Sequence, residues 1–182
     1  MNKYNRISLN NSKGIEDLIN ALEDYKAEIA QKAQDFVSRL MDIGIETAEA
    51  NTGQYRGFIV FHRHMVADKD SADGVIVATD GTKLVREWYR DGRIVSTEIS
   101  PLLMAEFGSG WLAKVLDNVS GVGQGSFPGQ RHAFDKDGWD WTTPDGETHH
   151  SIGETPTYPM HSAVLAMEFE VDRVGREVFG DV

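Results

Sequence analysis

The chain has 182 residues, with 29 acids against 18 bases and a formal net charge of −11, which suits one domain with a single core and gives no basic face for binding nucleic acid through its phosphates. The acids are too dispersed for a DNA mimic, and the absence of cysteine excludes disulfides, thiolate metal sites and cysteine nucleophiles. The N-terminus lacks an apolar core and no run of about 18 apolar residues occurs, so neither a signal peptide nor a membrane span is expected.

In chain order, Ile7 and Leu9 alternate within residues 5–9 and predict a short strand. Ile15, Leu18, Ile19, Leu22, Ile29 and Phe36 then recur at helical spacing, followed by Val37 and Leu40. With Ser12 as N-cap, acids in the first turn and Gly44 as the stop, they predict a helix over about 13–43. Such a helix is roughly 45 Å long, more than a small domain is wide. Part of it is expected to kink or to find cover on another chain, and Ala27, Ala30 and Ala33 leave room for a neighbour.

From about 56 to 99 the period changes to that of strands. Phe58, Val60 and His62 fall on one face of an extended run, with Ile59 and Phe61 on the other. Further β-rich runs at 75–79, 83–89 and 93–99 are separated by Asp80-Gly81 and Asp91-Gly92. Asp-Gly pairs between such runs are hairpin signals, and the reading is an antiparallel meander of about four strands with residues 68–74 as an acidic loop at its edge.

Ser100-Pro101 predicts a cap and first position of a short helix that runs through Glu106 and ends at Gly108. Another turn is expected over 111–116, then a mobile glycine-rich loop over about 120–130. Residues 139–143 and 147–151 flank Pro144-Asp145-Gly146, a further hairpin candidate. Pro159 opens a last helix over about 159–179, with Met160, Val164, Met167, Val171, Val174 and Val178 as its apolar seam. The expected fold is a single α+β domain over 1–182, with a long N-terminal helix and a C-terminal helix packed on an antiparallel sheet.

None of the candidate chemical constellations completes a recognised pattern. His62 and His64 share a strand face, and His149 and His150 point opposite ways if extended; joined with an acid they would make a metal site, but no spacing requires them to meet. Asp135, Asp137 and Asp140 lack the glycine and glutamate positions of an EF-hand. Gly121, Gly123 and Gly125 lack the flanks of a phosphate loop, and Gly108-Ser109-Gly110 lacks the frame of a nucleophile elbow. The reading is a non-enzymatic protein with no catalytic residues, cofactor or metal, and a His-dependent metalloenzyme is the remote alternative. Trp139 and Trp141 share one strand face and are expected to pack under the long helix, or to anchor an interface.

The order of these features resembles the tail-completion, or neck, proteins (minor tail components) of long-tailed, lambda-like phages. The likeness rests on Gly14-Ile15-Glu16-Asp17-Leu18 at the start of the long helix and on Glu106-Phe107-Gly108-Ser109-Gly110 in mid-chain. It continues in Trp139-Asp140-Trp141 with Asp145-Gly146, and in the Pro159-Met160 start of the last helix. It spans nearly the whole chain, departing in the aromatic that usually follows the last proline and in the extra strand of residues 68–92. The resemblance implies a homo-oligomeric, ring-forming subunit, made in the host cytoplasm and placed in the virion neck or upper tail. It also implies contacts with portal-side connector proteins and with the tail terminator or tail tube, DNA passing nearby without specific binding, no membrane, and no catalysis. A head-side minor capsid or decoration protein is the alternative.

Overall fold

The computed structural model describes residues 12–69, 71–113, 130–133 and 135–180. The expected strand at 5–9 and the glycine-rich loop at 120–129 lie outside the described residues. The chain is α+β, as its patterning implies.

Helix α1 is Ser12–Ala50, 39 residues and so roughly 58 Å long. It runs six residues past Gly44, where the sequence suggested a stop. A Cβ at Gly44 would lie 2.7 Å from Ile76 Cδ1 and 2.8 Å from Met167 Sδ. Gly44 is therefore a crossing point, where α1 passes between a strand and the last helix with no room for a side chain. The helix ends instead where Asn51 and Thr52 turn back on it: Asn51 Nδ2 donates to Thr47 O at 2.8 Å and Thr52 Oγ1 to Glu49 O at 2.8 Å. These side chains satisfy last-turn carbonyls that no longer have a helical partner.

A single 3₁₀ turn, Gly53–Tyr55, leads into β1, Ile59–Ala67, which pairs antiparallel with β2, Ala72–Asp80. The connecting turn is shorter than the 68–74 loop expected, because β2 already begins at Ala72. Asp68 closes it by accepting from Ser71 N at 2.7 Å. Gly74, read as loop, is instead a strand residue pressed flat on α1: a Cβ there would lie 2.7 Å from both Val37 Cγ1 and Met41 Sδ.

β3, Leu84–Arg90, and β4, Arg93–Ile99, form a second ribbon. Asp91 and Gly92 join them with φ of 50° and 78°, both left-handed as a type I′ turn requires. The four strands are thus two separate ladders and not one meander. Asp80-Gly81 is not a hairpin turn. The N–H groups of Gly81 and Thr82 donate to Phe58 O at 2.8 and 3.4 Å, and the Asp80 carboxylate accepts from Leu102 N at 2.9 Å. Those bonds turn the chain out of the first ladder.

Helix α2, Pro101–Phe107, starts as read: Ser100 Oγ accepts from Leu103 N at 3.1 Å, and Gly108 closes the helix with φ 64°. Short strands follow, β5 (Ser109–Gly110), β6 (Trp139–Thr142), β7 (Thr148–Ser151) and β8 (Gly153–Glu154), pairing as β5–β8 and β6–β7. The Pro144-Asp145-Gly146 hairpin is present, closed by Thr143 N donating to Glu147 O at 2.8 Å.

Helix α3, Pro159–Phe179, lies antiparallel along the C-terminal half of α1. Met167 meets Gly44, the Phe36 and Phe179 rings are 5.9 Å apart, and Arg39 pairs with Glu177 at 3.6 Å. The buried stripe of α3 keeps Met160, Met167, Val174 and Val178 of the expected seam and leaves out Val164 and Val171. Pro159, Ala163 and Val174 are buried, whereas Val164 and Val171 are exposed, because α3 packs chiefly on another helix. The core proper, Tyr55, Ile59, Met104 and Ala105, sits at the C-terminal end of α1, with Phe61, Leu84 and Ile99 against it. At roughly 31 Å, α3 covers about half of α1.

Gly44→Val should cost about 2 kcal/mol of unfolding free energy, because two packed layers must part to admit the branched side chain. Urea denaturation measures it; an unchanged midpoint would contradict the close crossing.

Candidate functional site

The mid-chain motif and the start of α3 are about fifty residues apart in sequence, yet they form one junction. Helix α3 presents unsatisfied first-turn N–H groups. Glu106 supplies both acceptors: Oε2 takes Met160 N at 2.8 Å and Oε1 takes His161 N at 3.1 Å. Negative charge there also suits the helix dipole. One residue back, Ala105 O accepts from Thr157 N at 2.8 Å and Tyr158 N at 3.1 Å. Tyr158 takes the left-handed conformation, φ 55° and ψ 52°, immediately before Pro159, a strained turn that these bonds hold in place.

The glycines of the motif allow backbone to touch backbone. A Cβ on Gly108 would strike Glu154 O and Pro156, and one on Gly110 would lie 2.7 Å from the Trp139 ring. Between them, the buried Ser109 accepts Glu154 N on its hydroxyl at 3.0 Å. Gln130 Nε2 reaches Gly108 O at 3.1 Å. Phe107 is half-buried at the end of α2. Glu106, Phe107, Gly108, Gly110, Pro159 and Met160 thus gather at one place.

Trp139 and Trp141 do not take the first of the two placements expected for them, under the long helix. Their hairpin packs on β3 and not under α1. Trp139 stacks on His132 with centroids 4.6 Å apart, and Trp141 on His149 at 4.7 Å. Both tryptophans are half-buried.

A polar cluster that no local motif signals lies beside the junction. Glu154 accepts from Tyr55 OH, from Gln54 Nε2 at 2.9 Å and from Arg86 at 2.7 Å. Burial, then the hydrogen bond to Glu154 and its charge, hold the Tyr55 phenol well above its ordinary value of 10.0. Tyr55 and Glu154 are 99 residues apart, so only the folded chain reveals them as partners.

An open cleft of about 440 Å³ lies next to this cluster, between Arg86, Glu98, Met104, Gly110, His132 and Trp139. Three of its polar side chains are engaged elsewhere: Arg86 with Glu154, Glu98 with Lys83, and His132 Nδ1 with Asp135 at 3.4 Å. The remaining histidines are dispersed. His62 and His64 are exposed on β1, and His150 Nδ1 lies 2.8 Å from Asp140. Among the described residues no group of three or more His, Asp or Glu side chains is placed to hold a metal ion, and no described helix is long and apolar enough to cross a membrane. Asp135 closes a turn, accepting from Asp137 N at 3.2 Å.

No family model, curated protein or solved structure matches the chain.

The most extensive feature is apolar surface. The N-terminal half of α1 exposes Ile15, Ile19, Leu22 and Tyr25, at 49 to 61% of their area. The outward face of β3–β4 exposes Val85, Tyr89 and Ile94, and α3 exposes Phe169 at 84%. Patches of this kind mark surfaces that meet a partner.

Two outcomes test the junction. Glu106→Ala should lower stability by about 1–2 kcal/mol by uncapping α3, with Glu106→Gln in between; equal unfolding midpoints for all three proteins would refute the cap. Tyr55→Phe should cost about 2 kcal/mol at neutral pH by removing a buried bond to a carboxylate. Above pH 10 the unfolded chain ionises Tyr55 while the folded chain holds its proton, so this stabilisation should fade as pH rises. A difference between Tyr55→Phe and the parent that stays constant from pH 8 to pH 11 would contradict it.

Proposed function

We propose that this chain is a structural protein of a long-tailed phage virion, a ring-forming subunit at the head–tail junction that joins the portal-side connector to the tail terminator or tail tube. The observation that carries the reading is the uncovered half of α1. A helix that leaves the body of its own domain with Ile15, Ile19, Leu22 and Tyr25 in water is complete only in contact with a neighbour. At about 25 cal/mol per Å² of apolar surface, covering such a stripe contributes several kcal/mol to association.

Two further features support it. Two of the motif segments of the resemblance, Glu106-Phe107-Gly108-Ser109-Gly110 and Pro159-Met160, meet at the Glu106 junction, which gives both a structural task. The net charge of −11 also suits a channel through which DNA slides without adhering.

The test is genetic. A nonsense mutation in the encoding phage should yield DNA-filled heads and free tails that do not join, as seen by electron microscopy, and added purified protein should restore joining. Normal yields of joined, infectious particles would overturn the proposal. Tailed particles with fragile heads would move the protein to the head surface.

A further inference from the structure

We infer that His62 and His64 form a two-imidazole site, on the outer face of the β1–β2 ribbon, for a late first-row dication such as Zn²⁺, Ni²⁺ or Cu²⁺. Such a site does not depend on the phage reading.

The strand register puts both side chains on one face. His62 pairs with Val77 and His64 with Val75, flanked by Val60 opposite Thr79 and Val66 opposite Asp73. Residues directly opposite in an antiparallel ladder share a face, and neighbours along a strand do not. The other face of the ribbon is committed to the body of the protein. Ile59 is in the core, Phe61 and Ala78 pack against it, Arg63 bonds Asp42, and Ile76 lies at the Gly44 crossing. His62 and His64 therefore point away from α1, and both are exposed.

The other four histidines are occupied. His132 has Asp135 at 3.4 Å and stacks on Trp139, His149 stacks on Trp141, and His150 Nδ1 lies 2.8 Å from Asp140. His161 Nε2 is buried. Among the described residues, His62 and His64 have no hydrogen bond, ion pair or ring contact. Each offers a ring nitrogen to an outside Lewis acid.

Strand geometry lets the two rings share one ion. Two residues of strand separate their Cα atoms by about 6.8 Å. Strand side chains stand off the sheet and lean along the strand, and the stiff, β-branched Val75 and Val77 across the ladder limit a sideways lean. With Zn–N bonds near 2.0–2.1 Å, a tetrahedral ion holds two ring nitrogens about 3.4 Å apart. Two rings leaning toward each other reach that spacing in ordinary rotamers.

Donor type and charge select the ligand. Imidazole suits Zn, Cu and Ni, whereas Mg²⁺ and Ca²⁺ take oxygen donors. Two imidazoles fill half of a tetrahedral set, and water or a donor from outside the chain fills the rest. The face carries no lysine or arginine to repel a dication, and it carries Asp73 diagonal to His64. That carboxylate and the net charge of −11 draw cations toward the ribbon.

Isothermal titration of the tag-free full chain tests the site. The parent should bind one Zn²⁺ or Ni²⁺ per chain, with Cu²⁺ tighter, and Mg²⁺ should not compete. His62→Ala and His64→Ala should each weaken binding more than about tenfold, a loss that even an outer-shell change can cause. A control carrying both His149→Ala and His150→Ala should bind as the parent does. His64→Ala combined with Met65→His keeps the number of histidines but moves one to the opposite face, so it should stay as weak as His64→Ala. All five positions are exposed, so every variant should keep the parental circular dichroism. In electron paramagnetic resonance, the Cu²⁺ form of the parent should show splitting from one more ring nitrogen than His64→Ala does. No binding by the parent, parental affinity in either single variant or in the face-swapped variant, or a loss in the His149 and His150 control would each overturn the site.

Discussion

The N-terminus of α3 is a set of backbone donors that must find acceptors, and the chain meets that demand with one carboxylate from a different helix. Glu106 accepts Met160 N and His161 N, while Ala105 O takes the two preceding N–H groups. This contact sets where α3 begins relative to α2 and the core. Because α3 then runs antiparallel to α1 for only about 31 Å, the same contact sets how much of α1 is covered. The uncovered arm is a geometric consequence of anchoring a short helix at the far end of a long one.

Close approach is the second constraint. Gly44 and Gly74 remove side chains at two points where α1 meets its neighbours, one between β2 and α3 and one under β2. Together with Arg63 bonded to Asp42, they hold the first ribbon flat on α1. The fully buried apolar set among the described residues is modest, with Met41, Ala48, Met104 and Val174 among its members. Much of the chain's larger apolar inventory lies instead on the arm, the ribbon faces and the outer side of α3. That distribution fits a subunit whose stability is shared between its own core and its contacts with other copies.

The polar cluster of Tyr55, Gln54, Arg86 and Glu154 links the 3₁₀ turn, the second ribbon and the strand that leads to α3. It ties the second ribbon to the junction at the start of α3.

Local pattern alone determined the class and most of the elements. Helical periodicity marked α1 and α3, Ser100-Pro101 and Gly108 bounded α2, and Asp91-Gly92 and Asp145-Gly146 marked true hairpins, because caps and tight turns are decided by backbone demands within a few residues. Tertiary structure decided the rest. Gly44 reads as a stop in sequence, but a glycine that ends a helix and one that lets another element touch it look alike until the neighbour is present. Asp80-Gly81 reads as a hairpin until Phe58 O and Leu102 N claim its polar groups. The pairing of Glu106 with α3, of Tyr55 with Glu154, and of Trp139 with His132 and Gly110 joins residues whose separation in the chain carries no local signal. Which apolar residues stay in water was likewise decided by the lengths of packed helices, a quantity that exists only once the elements are placed side by side.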